Sequence, residues 1–201
     1  MSGSPRPAPY AGSVLTYSLD YESKWWLPVP TAFPTESGER LEEWAHRIAS
    51  SANVAAPWNE PPWSAQLPEL LAAQQGGLDA ERSGALWYCP YGLPAVGVVQ
   101  LFIAERDDDD DVDLAAELGP LPSTVAVRPT EVRSAGLGAG IGYSRILADD
   151  AGEATVAELG YLFAPSGARV VVLARSADPQ MIGLMAPELW ALVDSLRLER
   201  A

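Results

Sequence analysis

The chain has 201 residues, 48% hydrophobic and 20% charged, which is enough apolar content for a sizeable core and too much for a disordered chain. With 27 Asp+Glu against 13 Lys+Arg the net charge is −14, so the surface repels phosphate backbones and anionic lipid. Nucleic acid and membrane surfaces are therefore excluded as expected partners, and a basic protein or a cation fits the charge.

Residues 1–12 hold three prolines among Gly and Ser and read as a flexible N-terminal arm without the apolar stretch of a signal peptide. Residues 13–201 read as a single α+β domain. No apolar run approaches the ~20 residues that span a bilayer. Residues 13–19 suggest a short strand. The stretch KWWLPVPTAFP that follows has too many prolines for a helix interior and reads as an extended segment anchored by Trp25 and Trp26. Leu41, Trp44, Ala45 and Ile48 recur with helical spacing, and acidic residues crowd the first turn, so 39–51 is a helix. After the loop AAPWNEPPW, Ser64 caps a second helix that runs to about Gly76, where a Gly-Gly pair ends it.

Strand signals then dominate. Residues 85–88 and 95–104 pair as antiparallel strands across the turn CPYGLP. A short helical piece spans 114–118, and strands are expected over 123–128, 131–136, 139–147, 154–164 and 169–174, with DDAGE and PSG as hairpin turns. Asp178-Pro179 opens the closing helix, which Pro187 should kink or restart. Helices, a run of strands and a closing helix make an α+β fold: an antiparallel sheet of about six strands flanked by helices.

The stretch GLGAGIGYSR invites a phosphate-binding reading, but its spacing fails. The sixth position is Ile141 counted from Gly136 and Tyr143 counted from Gly138, and no Gly-Lys pair exists for a P-loop. Alternation of apolar residues with glycine is a period of two, so one face of a strand is apolar and the other bare. The run Asp107, Asp108, Asp109, Asp110, Asp111 lacks the glycine and glutamate of a calcium loop, having Val112 and Leu118 at those positions. It reads as a hydrated loop, with weak cation binding or a docking patch for a basic partner as the alternatives.

Cys89 and His46 are the only residues of their types, so no internal disulfide forms, and structural zinc lacks its usual ligands. Such cysteine usage suits a reducing cytosol. A Cys89–His46 dyad is the one nucleophilic pair on paper, and no G-x-S-x-G elbow is present. No cofactor, metal or catalytic constellation is indicated. Trp58 and Trp63 sit in the proline-rich loop, where tryptophan suits a recognition surface or a lid on the core.

The early KWWLPVP, the helix carrying Trp44, and the ending ELGYLFAPSGARVVVLARSADPQMIGLMAPELWALVDSLRLE resemble a family of uncharacterised actinobacterial proteins. In these a final hairpin is closed by a helix and a strand-like tail, here Ser195-Leu196-Arg197. Scarce lysine and abundant Ala, Gly and Pro also resemble proteins of GC-rich actinobacterial genomes. The element order is similar to the Mog1/PsbP-like fold, whose members are mainly binding or assembly factors, and neither resemblance brings catalytic residues. The expectation is a non-catalytic, cytoplasmic protein-binding module for a basic or amphipathic partner, with Trp58, Trp63 and Asp107 to Asp111 as its contact residues. The alternatives are a small-ligand binder that uses the bare glycine face, and an enzyme that uses Cys89 and His46.

Overall fold

The computed structural model describes residues 15–55, 69, 78–79, 81–90, 97–106, 113–118, 127, 129–148 and 155–200. Strands β1 (Leu15–Ser18) and β2 (Trp26–Val29) precede helix α1 (Leu41–Ala55); β3 (Gly84–Tyr88), β4 (Val98–Glu105) and a 3-10 turn (Ala116–Leu118) follow. Then come β5 (Thr130–Ser134), β6 (Gly138–Ala148), β7 (Thr155–Phe163) and β8 (Ala168–Ser176), and helix α2 (Pro179–Ser195) and β9 (Arg197–Arg200) close the chain. The class is α+β, as the order of elements implies.

Seven strands form one antiparallel sheet in the order β2-β3-β4-β8-β7-β6-β5, and β1 and β9 pair as a separate ribbon. The expected count of about six falls short because Trp26-Leu27-Pro28-Val29, read only as an extended segment, is a paired edge strand. Proline lacks a donor N–H, so an edge is where a sheet accommodates Pro28, and there it also blocks further pairing. The expected arm 1–12 lies outside the described residues, as do the helix 64–76 apart from Glu69, and the strand 123–128 apart from Val127, which is in no strand.

One face of the sheet packs on α2. Its core joins Leu86, Val99, Leu101, Tyr161, Phe163, Val170 and Val172 to the buried helix positions Ile182, Met185, Leu189, Leu192 and Val193. The opposite face is covered in two places. Helix α1 sets Trp44 and Ala45 on Val29, Ala85 and Trp87, while the segment 113–118 sets Leu118 and Leu114 on Tyr143 and Leu162.

The glycine stretch resolves into cross-strand pairs. Gly140 faces Phe163, Gly142 faces Tyr161, and Gly160 faces Tyr143. A Cβ on Gly140 would meet the Phe163 ring and the Leu162 carbonyl, and one on Gly160 would meet the Tyr143 ring. Gly140, Gly142 and Gly160 are thus covered by aromatic rings from the neighbouring strand, a packing that offsets what glycine costs inside a strand. Beside Gly140 a cleft of about 540 Å³ opens, lined by Leu114, Glu131, Val132, Arg133 and Ala139.

Helix α2 begins as its sequence implies, with the Asp178 carboxylate accepting from the Gln180 N–H at 2.9 Å and Pro179 in the first turn. Asp178→Ala should lower stability by about 1 kcal/mol, read as a shift of the urea midpoint at constant slope. No shift would remove the capping role. The helix does not restart at Pro187 but runs through it. Gly183 and Pro187 are both exposed, so the Gly183 carbonyl that loses its helical donor faces water. One residue on, the Leu184 carbonyl accepts from the Tyr88 hydroxyl at 3.4 Å.

Candidate functional site

A cleft of about 220 Å³ opens where the β1–β2 connection meets α2. Trp25, Trp26 and Tyr21 line it with Ala191 and Leu192 of α2, and three acidic residues, Asp20, Glu22 and Glu188, complete its rim. Local hydrogen bonding sets this shape. The N–H groups of Trp25 and Trp26 both donate to the Glu22 carbonyl, at 2.9 and 3.0 Å, which turns the chain, and the Cys89 N–H donates to the Trp25 carbonyl at 2.7 Å. On the α2 side, Ser195 Oγ donates to the Asp20 carbonyl at 2.8 Å and accepts from the Asp20 N–H at 3.2 Å.

The two tryptophans have different tasks. Trp26 is 3% exposed and tilts against Tyr88, so it belongs to the core. Trp25 is half-buried and stacks nearly parallel on Tyr88, with centroids 6.2 Å apart. Lys24, the only lysine of the chain, lies with its Nζ 5.6 Å from the Trp25 ring centroid and 2.6 Å from the Glu22 carboxylate. A ring face plus carboxylates is an arrangement that attracts a cation, and here an ammonium is seated on it. Both partners of the Lys24–Glu22 pair are about half exposed or more, so the pair itself is worth little and another cation displaces it at small cost.

A second polar cluster lies on the opposite face of the sheet. Glu158, fully buried at the centre of β7, accepts from Arg145 Nε at 2.7 Å, from Arg175 Nε at 2.6 Å and from the Tyr143 hydroxyl at 2.9 Å. These are register neighbours, since Glu158 pairs with Arg145 on β6 and with Arg175 on β8. Arg145 also donates to the Leu118 carbonyl, tying the 3-10 turn to the sheet. The carboxylate is saturated with donors and walled by Leu118, Tyr143 and Leu162, an arrangement that holds structure rather than substrate.

Burial pushes the Tyr143 hydroxyl well above the ordinary phenol range, and the Glu158 charge beside it adds to the effect. Burial also raises Tyr17 and Tyr161. The unfolded chain ionises these groups near pH 10 while the folded chain keeps them protonated, so their stability contribution is complete below about pH 10 and is lost as pH rises past it. The melting temperature should fall above about pH 10, and fall less steeply in Tyr143→Phe. Identical slopes in the two proteins would contradict the assignment.

Trp58, Trp63 and the five residues Asp107 to Asp111 lie outside the described residues. Cys89 is half-buried at the end of β3, and His46 is on the exposed side of α1. Among the described residues no three of His, Cys, Asp and Glu gather as a metal site requires, and no helix is long and apolar enough to cross a membrane. Sequence reasoning treated Trp25 and Trp26 alike as anchors and passed over the acidic residues Asp20 and Glu22 just before them. Glu188 reaches the cleft only through the fold, being far along the chain.

No family model matches the chain, and no curated protein matches it. Among solved structures it is similar to LpqN, described as involved in cell envelope biogenesis of Mycobacterium tuberculosis, at a TM-score of 0.44 and 12% identity, over 94% of this chain and 87% of that one. A likeness at that level bears on neither mechanism nor partner.

Proposed function

We propose that this chain is a non-catalytic protein-binding module of the Mog1/PsbP-like kind, an accessory, chaperone-like or immunity-type factor. Its Trp25 cleft receives a cationic side chain of a basic or amphipathic protein partner. The observation that carries this reading is the Lys24 ammonium seated on Trp25 and Glu22, two residues that line the cleft together with Asp20 and Glu188. The net charge of −14 favours approach of a basic partner at long range. The size of the cleft supports the same reading. At about 220 Å³ it is smaller than the roughly 300–1,000 Å³ of pockets that enclose a small molecule, and it suits one side chain delivered by a larger partner.

Titration calorimetry with a short arginine-bearing peptide tests the proposal. Binding is expected at low salt and should weaken as salt rises, because the rim is exposed. Trp25→Ala should weaken it about tenfold, in line with the loss of a cation–π contact of ~1 kcal/mol or more. Trp25→Ala binding as tightly as the parent would sink the cleft as the site. Asp107 to Asp111, Trp58 and Trp63 stay within the proposal as further contacts, and their substitution would then add to the effect of Trp25→Ala.

A further inference from the structure

The fully exposed positions of α2 carry no charge although the chain is rich in acid, and the half-buried Glu188 is set beside them. The exposed positions are Pro179, Gln180, Gly183, Leu184, Pro187 and Ala191. Leu184 is 64% exposed, the most exposed of the large apolar side chains among the described residues. Spacings of three, four and seven along a helix put Leu184, Pro187, Glu188 and Ala191 on one side. Glu188 and Ala191 are walls of the cleft, so the apolar stripe runs into it. The Tyr88 ring joins the two regions, since it stacks under Trp25 while its hydroxyl reaches the Leu184 carbonyl.

We infer that the partner segment is a basic amphipathic helix. It lays an apolar side chain on Leu184 while a cationic side chain of the same face enters the Trp25 cleft. The inference rests on the proposed function and adds the form and spacing of the ligand. Charge selects this occupant: a second copy would bring another −14 chain against an acidic rim. Shape selects a helix, because Gly183, Pro187 and Ala191 leave a low lane along which another helix can approach closely. From Leu184 to Ala191 is seven residues, about 10 Å at 1.5 Å per residue. The partner's apolar and cationic anchors should therefore lie about seven residues apart, two turns on one face.

The test uses two synthetic alanine-based helical peptides of equal composition. One carries Leu and Arg seven residues apart on one face, and the other carries them on opposite faces. The parent protein should bind the same-face peptide about tenfold more tightly. Leu184→Ser, an exposed change that leaves the core intact, should abolish that preference while keeping the weaker affinity shared by both peptides. Equal binding of both peptides by the parent overturns the inference and leaves the cleft as a cation site. Binding of neither overturns the proposed function and the inference together. Sedimentation of the protein alone decides the remaining occupant: a dimer that Leu184→Ser dissociates would assign the stripe to a second copy and overturn the inference.

Discussion

Glu158→Ala is expected to cost about 3–5 kcal/mol, a large share of the roughly 5–15 kcal/mol that keeps a domain folded. The magnitude follows from what remains behind. The Arg145 side chain is only 5% exposed and would keep its charge without a counter-ion, whereas Arg175, at 45%, reaches water. The partners should therefore respond unequally. Arg175→Ala leaves Glu158 paired with Arg145 and costs less than Arg145→Ala, which unpairs the carboxylate from its buried neighbour. The double variant Glu158→Leu with Arg145→Met should regain much of the stability lost in Glu158→Leu, because replacing a whole buried pair by apolar groups avoids an orphaned charge. Urea unfolding of the single and double variants measures this coupling, and strictly additive losses would show that the pair does not act as a unit.

Gly140→Val is expected to destabilise by about 3 kcal/mol or more, near the upper end for overpacking. The added Cβ meets the Leu162 carbonyl as well as the Phe163 ring, and a carbonyl in the β6–β7 ladder cannot yield without breaking that pairing. Gly183→Ala gives the contrast. No atom lies within 4 Å of its built Cβ, and the site is an exposed helix position. Alanine there should stabilise by about 1 kcal/mol, the ordinary difference in helix propensity. Thermal melts of the two variants should therefore move in opposite directions. A Gly140→Val protein as stable as its parent would mean that the Phe163 ring and the Leu162 carbonyl give way freely.

Much of the fold is legible from local signals. The β3–β4 pair, the last three strands, the cap at Asp178 and the strand-like tail all follow from period-two alternation, turn residues and capping chemistry, which act over a few neighbouring residues. The misses have physical reasons. Pro28 disguised an edge strand, because only the sheet's edge tolerates it. Pro187 was expected to kink or restart the helix, and the helix does not restart there because the carbonyl it orphans faces water. Gly140 and Gly142 of β6 were read as bare, although the rings that cover them come from β7, and that pairing is a property of register rather than of either strand alone. Glu158 carries a signal in the sequence, a lone acid within the apolar run Val-Ala-Glu-Leu-Gly-Tyr-Leu-Phe, but its partners appear only when β6 and β8 are aligned on it. The cleft was the least legible feature. Trp25 and Trp26 are adjacent, and only the turn at Glu22 sends one into the core and leaves the other at the surface.

The measurement that tests the central claim most directly is an amide and indole NMR titration of the protein with the short arginine-bearing peptide at low salt. The account predicts that the Trp25 indole and the backbone amides of Glu22, Glu188 and Ala191 shift together and saturate at one peptide per chain. Shifts confined to Asp107 to Asp111, or no shifts at all, would contradict a cation-binding cleft at Trp25.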